Sequence, residues 1–445
     1  MSATIKGAAT ELGTERIRKL LMQYAVPAII AMTASSLYNM VDSIFIGHGV
    51  GPLAISGLAL TFPLMNLAAA FGSLVGVGAA TLVSMRLGQR DYGTAQNILG
   101  NVVVLNLIIG LAFGFITLLL LDPILYFFGA SEATIGYARD YMSIILMGNV
   151  ITHMYLGLNS VLRASGHPRK SMYATIYTVV INAALDPLFI YGFGWGIRGA
   201  AIATVLSQLA SCVYAVRFLL GKKPPIRITR GGYSAAVMRR VLTLGFSPFI
   251  IIALDNVMII AMNAVLQHYG GAARGDALVT CATIAQSFML VVTMPLGGIT
   301  GGTQSILSYN YGAYRTERVR QAQKYIFGLG LAFTAVMTLA ARLAGPLFVR
   351  LFTTDEALAA QAFDTIKVCT LALLPLGLQY EVVDGFTALG LAKLALPLSL
   401  WRKAVYFAAV FALPAFFGAD AVFYAEPISD VLGPLASVAV YCVCI

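Results

Sequence analysis

Charged side chains are scarce in this chain. Only 11% of its 445 residues are Asp, Glu, Lys or Arg, whereas 59% are hydrophobic. A soluble domain typically carries about 25% charged residues. A chain of this length with half that charge has too little polar surface for a water-soluble globule, so the composition excludes an ordinary soluble enzyme or binding module.

Motifs for ATP hydrolysis and for common hydrolytic chemistry are missing as well. The sequence contains no G-x-x-x-x-G-K-[ST] phosphate-binding loop, no H-E-x-x-H and no G-x-S-x-G. The five cysteines lie in apolar segments without a C-x-x-C spacing, so we expect neither a metal site nor a disulfide framework from them. We therefore predict that the chain is not an enzyme, has no cofactor and is driven by an ion gradient.

Long hydrophobic runs take the place of the missing charge. A helix needs roughly 20 apolar residues to cross a bilayer, and many runs reach that length. They predict an all-α polytopic membrane protein with twelve transmembrane helices. The predicted spans, numbered 1 to 12 in chain order, are 20–46, 52–85, 95–121, 135–162, 171–193, 198–219, 240–268, 276–308, 322–343, 361–389, 394–416 and 421–444.

The basic residues concentrate on one side of these spans. With the amino terminus placed in the cytoplasm, that side holds most of the 29 Lys and Arg, as the positive-inside rule requires. We therefore predict a multi-pass protein of the bacterial inner membrane and attribute the net charge of +10 to orientation rather than to nucleic-acid binding. The connection 217–240 contributes Arg217, Lys222, Lys223, Arg227, Arg230, Arg239 and Arg240, whereas the opposite loops carry Asp122, Glu132, Asp355, Glu356, Asp420 and Glu426.

The two halves of the sequence resemble each other. A shift of 224 residues places Gly78 on Gly302 and Ser84 on Ser308. Because each half has six spans, both halves have the same orientation, which predicts two six-helix lobes related by a pseudo-two-fold axis along the membrane normal. We predict a cytoplasmic amino-terminal segment, an N lobe, a cytoplasmic linker and a C lobe at residues 1–19, 20–220, 221–239 and 240–445.

Two carboxylates fall inside predicted spans of the first half. A charge in mid-membrane costs about 2.5–3.5 kcal/mol on insertion scales, so such residues are usually functional. Asp42 shares a helical face of span 1 with Tyr38 and Asn39, and Asp186 follows Asn182 by one turn in span 5. These groups suit a proton or a sodium ion. The alternative is that both acids only hydrogen-bond neighbouring helices.

The second half also carries acids inside its spans. Asp255 in span 7 could form a second carboxylate site with Glu381 or Asp384 in span 10. These acids could instead bind a cationic substrate or line a wet cavity. Arg402 in span 11 could neutralise one of them.

Span 4 contains two further polar residues one turn apart. We assign Asn159, together with Asn39, to the substrate cleft. Arg163 falls near the cytoplasmic end of the span, where we expect it to extend its charge into the interface.

Several motifs resemble those of the multidrug and toxic compound extrusion (MATE) family of prokaryotic transporters. They are Arg-Ala-Ser-Gly-His-Pro-Arg-Lys at 163–170, Asn-Ala-Ala-Leu-Asp-Pro at 182–187 and Gly-Ile-Arg-Gly-Ala-Ala-Ile-Ala-Thr at 196–204. Pro27 followed by Asp42 in span 1 is similar too, and the resemblance covers nearly the whole chain.

This resemblance implies a V-shaped pair of lobes that exports amphipathic, often cationic drugs in exchange for protons or sodium. By similarity, Pro27 would be a bend that responds to protonation of Asp42. The resemblance further implies a first-lobe ion site, with possible sodium ligation, at Asp42, Asn182, Asp186 and Thr204, with the Ala200 carbonyl nearby and Tyr38 and Tyr141 in the surrounding hydrogen-bond network.

Two other functions remain open on the sequence alone. A lipid-linked oligosaccharide flippase of the same wider superfamily would need a cationic cleft, whereas the charges at mid-span are mostly acids. An ion channel or a non-transporting scaffold is the other alternative. We expect a monomer that meets small-molecule drugs and lipid, with H+ or Na+ as the coupling ion.

Overall fold

The computed structural model describes residues 7–221, 224–229, 231–353 and 355–444, and within these ranges the chain forms helices and turns without a β-strand. A short amino-terminal helix, Gly7–Thr14, precedes the spans. The helices of spans 1 to 12 are Ile17–Gly49, Pro52–Gly88, Tyr92–Leu119, Ile135–Met147 with Asn149–Ala164, Pro168–Gly192, Gly196–Leu220, Ala235–Gly271, Ala277–Gly312, Thr316–Leu343, Glu356–Cys369 with Leu373–Ala388, Ala392–Phe417 and Ala419–Cys444.

These helices confirm the predicted architecture of twelve spans. In the described residues, nine helices are long and apolar enough to cross a membrane. Spans 4 and 10 add two broken helices, which bend by 56° and 50°. Span 1, with 33 residues, completes the set. The helices extend beyond most of the predicted runs because polar residues continue the same helices past the apolar core.

The helix ends repeat with the 224-residue shift. Gly88 and Gly312 end spans 2 and 8, and Ala164 and Ala388 end spans 4 and 10. The turns after spans 2 and 8 each contain a non-glycine residue with positive φ, Arg90 in one half and Tyr314 in the other. A hydrogen bond recurs too: the Ser84 hydroxyl donates to the Ala164 carbonyl over 3.2 Å, and the Ser308 hydroxyl donates to the Ala388 carbonyl over 2.7 Å. Both lobes are therefore built to one plan.

The lobes meet most closely near one end of the bundle. This end carries the amino-terminal helix and the connections 89–91, 221–234 and 313–315, and we call it the basic end. Gly78 of span 2 packs against the backbone of Val241 and Gly245 in span 7, so a Cβ at residue 78 would overlap the Val241 carbonyl oxygen. Gly88 and Gly312 make the equivalent backbone approaches between spans 2 and 8. Helices approach this closely only where side chains are missing.

The amino-terminal helix precedes the N lobe but packs on the C lobe. Leu12 is fully buried there, and its carbonyl accepts hydrogen bonds from the Asn310 amide at 3.0 Å and the Arg318 guanidinium at 3.3 Å. Arg318 also donates to the Glu15 carbonyl at 2.7 Å, and Arg315 donates to the Gly13 carbonyl. Cations favour the free carbonyls at the end of a helix, so this segment joins the two lobes at the basic end.

The connection between the lobes packs on span 3 of the N lobe. The Asn101 amide donates to the Gly232 carbonyl at 3.2 Å and accepts from the Ser234 backbone N–H at 2.8 Å. Lys222, Lys223 and Arg230, which belong to the predicted basic linker, lie outside the described residues, as do residues 1–6 of the amino-terminal segment.

Candidate functional site

Polar side chains from four helices converge inside the N lobe. Span 1 contributes Asp42 and Tyr38, span 4 contributes Tyr141, span 5 contributes Asn182 and Asp186, and span 6 contributes Thr204. Asp42 is only 5% exposed, and Asp186 is fully buried. The residues that the sequence places on one face of span 1 and on one face of span 5 therefore meet inside the N lobe.

Three hydrogen bonds connect this cluster. The Tyr38 hydroxyl lies 3.1 Å from the Thr204 hydroxyl. The Asn182 amide donates to Asp186 Oδ1 at 3.2 Å and to the Thr204 hydroxyl at 3.5 Å. Asn182 thus links spans 5 and 6, and Thr204 links both to span 1.

Asp42 lies directly beside Asp186, and Tyr141 lies beside both. Among the described residues, Asp42 Oδ1, Asp186 Oδ2, the Asn182 Oδ1 and the Tyr141 hydroxyl have no hydrogen-bond partner. Buried polar atoms are normally paired, so four unpaired atoms around two carboxyl groups are a feature that calls for a ligand. Carboxylate, amide and hydroxyl oxygens would suit a proton or a hard monovalent cation.

The remaining N-lobe candidates lie around this cluster or away from it. Ala200 is buried one turn before Thr204 in span 6. Pro27 is buried inside the continuous helix of span 1, about four turns before Asp42. The side chain of Asn39 lies outside the described residues. Asn159 lies inside the N lobe, where its amide donates to the Thr175 hydroxyl at 3.1 Å.

The three C-lobe acids that the sequence suggested as a second carboxylate site each have a different neighbour in the structure. Asp255 is 51% exposed and forms an ion pair with the buried Lys403 of span 11. The Glu381 carboxyl group packs over Gly330 of span 9, and Asp384 lies beside Thr300 of span 8. Three different helices therefore surround the three carboxyl groups.

Arg402 pairs with acids other than Asp255, Glu381 and Asp384, the ones that the sequence suggested. Its guanidinium lies 2.7 Å from the fully buried Asp430 and 3.4 Å from Glu426, both in span 12. Glu426, predicted in an outer loop, thus belongs to an ion-pair group with Arg402 and Asp430, while Lys403 and Asp255 form a pair of their own. Sequence reasoning missed Lys403 and Asp430, although each is a charge within an apolar span, the signal that singled out Asp42.

The C lobe contains one buried carboxyl group without a counter-ion. Within the described residues, neither oxygen of Glu381 has a hydrogen-bond partner. The N lobe has a related arrangement at the positions that correspond by the 224-residue shift, because the unpaired amide of Asn106 packs over Gly157. In both lobes a polar side chain packs over a glycine at this point. The polar residue lies in span 3 of the N lobe but in span 10 of the C lobe. No group of three or more His, Cys, Asp or Glu that could hold a metal ion is found in the described part of the chain.

Twelve helices in two repeated lobes, with an unpaired carboxyl cluster inside one lobe, define a polytopic membrane transporter. Comparisons with known proteins agree with this class. The MatE family profile matches residues 27–188 and 249–402, and the chain therefore belongs to the MatE family. The members named below are transporters, which confirms that the chain is not an enzyme.

Curated relatives cover nearly the whole chain. It is 27% identical over 418 residues to the multidrug export protein MepA of Staphylococcus haemolyticus, covering 93% of this chain and 91% of that protein. MepA of Staphylococcus aureus strain NCTC 8325 is 26% identical and covers 94% and 92%.

Solved structures share the fold. The MATE multidrug transporter DinF-BH is 32% identical, with a TM-score of 0.90 and 97% of both chains covered. An outward-facing MATE family transporter of the MOP superfamily is 22% identical, with a TM-score of 0.91, covering 100% of this chain and 98% of that one.

Proposed function

We propose that this protein is a secondary active multidrug exporter, in which binding of a proton or a sodium ion at Asp42 and Asp186 drives alternation of the two lobes. The observation that carries this proposal is the buried N-lobe cluster with its four unpaired polar atoms. The expected substrates are amphipathic and cationic compounds. The names of the MepA relatives and of the transporter DinF-BH support multidrug export.

The adjacent carboxyl groups explain how an ion could bias the structure. Two negative charges side by side in a dry interior repel each other and lose hydration. A proton shared between Asp42 and Asp186, or a sodium ion bound by their oxygens, removes that penalty. A ligand shifts a conformational equilibrium only by its different affinity for the two states. A state that hydrates the cluster would therefore release the ion, and a state that keeps it dry would retain it.

The charge distribution supports an orientation in the membrane. We place the basic end in the cytoplasm of a bacterial cell, as the positive-inside rule favours. The lobes pack tightly at this end through Gly78, Gly88 and Gly312. With the basic end closed, the cleft between the lobes would open toward the other side of the membrane. Export requires that this seam open in a second state to admit the drug.

The test is dye efflux from vesicles containing the purified protein, with a proton or a sodium gradient imposed separately. We expect Asp42→Asn and Asp186→Asn to reduce gradient-driven efflux to the level of empty vesicles while the variants insert and fold normally. Asp140→Asn is the matched control, because Asp140 forms an exposed ion pair with Arg198 at 2.9 Å.

The same assay separates the alternatives. The gradient that drives efflux identifies the coupling ion. Wild-type efflux by Asp42→Asn would remove the carboxyl pair from the mechanism. Flux that needs no gradient would indicate a channel, and movement of a lipid-linked oligosaccharide without drug efflux would indicate a flippase.

A further inference from the structure

A small polar cavity lies between the two lobes near the basic end. Its accessible volume is about 10 Å³, room for roughly one water-sized group, and it is lined from both sides of the lobe interface. Its polar lining residues are Thr81, Ser160 and Arg163 of the N lobe and Gln304, Ser305 and Ser308 of the C lobe. The sequence had suggested that Arg163 extends into the membrane interface, but the structure turns it toward this cavity.

The lining is rich in hydrogen-bond donors and contains no acidic residue. Among the described residues, no carboxylate lies within ion-pair distance of Arg163, whereas in the C lobe Arg402 has two such partners and Lys403 has one. The Thr81 hydroxyl is 2% exposed and has no hydrogen-bond partner in the described structure. A guanidinium offers five N–H donors and no acceptor. The Ser160 and Ser308 hydroxyls already donate to the Leu156 and Ala388 carbonyls, so the unused donors are those of Arg163 and Thr81, and the cavity has an excess of one positive charge.

The repeat shows that the fold does not require this charge. Thr81 corresponds to Ser305 by the 224-residue shift, so the cavity lies near the pseudo-two-fold axis. Arg163 corresponds to Thr387, whose hydroxyl donates to the Val383 carbonyl of its own helix at 2.9 Å. The corresponding end of span 10 in the C lobe thus carries a neutral residue. The cation Arg163 is therefore present in the N lobe only and is not part of the architecture that the two lobes share.

A cation without a partner that is partly shielded from bulk water is costly unless a counter-charge accompanies it. We propose that Arg163, Thr81 and Ser305 form a binding site for a small monovalent anion at the interface of the two lobes. The anion is either a halide from solution or the carboxylate group of a transported molecule, since guanidinium and hydroxyl donors bind both. Because both lobes contribute donors, an anion in this cavity stabilises the state in which the basic end is closed.

The test measures thermal unfolding of the purified full-length protein in lipid nanodiscs. Sodium chloride is titrated against the sodium salt of a bulky sulfonate buffer at constant sodium concentration and ionic strength, so that a sodium site does not contribute. We expect chloride to raise the unfolding temperature with a saturating dependence, because a ligand of the native state stabilises it. Arg163→Gln should weaken the apparent chloride affinity at least tenfold, and Thr81→Val should weaken it to a smaller extent.

Two controls make the result specific. Arg239→Gln removes an exposed cation at the same end of the molecule and should retain the chloride response. Asp140→Asn, which leaves the N-lobe carboxyl pair intact, should retain it too. The chloride response is measured without a gradient or transport, so failure of the N-lobe ion mechanism and failure of the anion site are distinguishable.

Replacing chloride by acetate separates the two sources of the anion. A response to acetate as well as chloride favours a substrate carboxylate, and a response to chloride alone favours a halide; both support the site. A response to neither anion in the wild type, or an undiminished chloride response in both Arg163→Gln and Thr81→Val, overturns the proposal.

Discussion

Replacement of Gly78 by alanine should open the seam between the lobes without disturbing either lobe. Gly78 lies in span 2 of the N lobe and touches the backbone of span 7 in the C lobe. A Cβ there would overlap the Val241 carbonyl oxygen and lie 2.9 Å from the Gly245 nitrogen. Both neighbours are backbone atoms, so no side-chain rotation can relieve the overlap and the two helices must separate.

The magnitude follows from the cost of overpacking. An inserted methyl group in a tight interior costs about 1–3 kcal/mol. The cost falls only on the state in which spans 2 and 7 touch, because an open seam leaves room for the methyl group. Since 1.4 kcal/mol is a factor of ten in an equilibrium constant, the population should shift by about 5- to 150-fold toward the open basic end.

Labelling of a cysteine in the seam would measure this shift. Ser305 is buried between the lobes and is a suitable site for a Ser305→Cys reporter. Of the native cysteines, Cys442 and Cys444 are exposed and would be replaced by serine, whereas the other three are buried. A membrane-impermeant maleimide added at the basic end should label the reporter at least fivefold faster in Gly78→Ala.

Gly297→Ala is the matched control. This glycine lies in span 8, and a Cβ there would meet no atom within 4 Å, so labelling should not change. Equal labelling rates in Gly78→Ala and in the parent, with equal unfolding temperatures, would show that the close backbone contact does not hold the basic end closed. The reasoning about the seam would then be wrong.

Three further predictions concern stability. Arg402→Ala leaves the buried Asp430 without its partner and should destabilise the folded protein by about 3–5 kcal/mol, seen as a lower unfolding temperature and a lower yield. Gly330→Ala drives a Cβ into the Glu381 carboxyl group and should cost about 1–3 kcal/mol, whereas Glu381→Gln, which preserves the shape, should unfold close to the wild type. Arg318→Ala should cost about 1 kcal/mol and speed proteolysis of the amino-terminal helix, because the guanidinium bonds to its carbonyls are lost; an unchanged cleavage rate would count against that role.

The architecture could be predicted well from sequence because bilayer physics imposes long apolar helices. Every predicted span overlaps one helix or one broken helix of the structure. The break in span 4, at Gly148, could not be predicted, because that span contains no proline, the usual sequence signal of a bend. The break in span 10, at residues 370–372, does have such a signal in the nearby Pro375. The amino-terminal helix could not be predicted, since its eight residues acquire their hydrogen-bond partners only from the distant Asn310 and Arg318.

The N-lobe cluster could be predicted because its partners follow local spacing. Asp42 and Tyr38 are one turn apart, as are Asp186 and Asn182, so each pair shares a helical face. Thr204 and Tyr141 came only from the family resemblance. The C-lobe acids could not be resolved in this way, because their counter-ions lie on other helices and no spacing rule connects them.

The contrast between the lobes bears on which of them responds to an ion. In the C lobe, Asp430 and Asp255 already have cationic partners in Arg402 and Lys403, and protonation of either acid would break an ion pair. In the N lobe, Asp42 and Asp186 have each other and no cation among the described residues, so protonation there relieves repulsion. We propose coupling in the N lobe because two adjacent carboxyl groups there could share one ion, whereas in the C lobe Glu381 is a single unpaired carboxyl group and Asp255 and Asp430 are already paired.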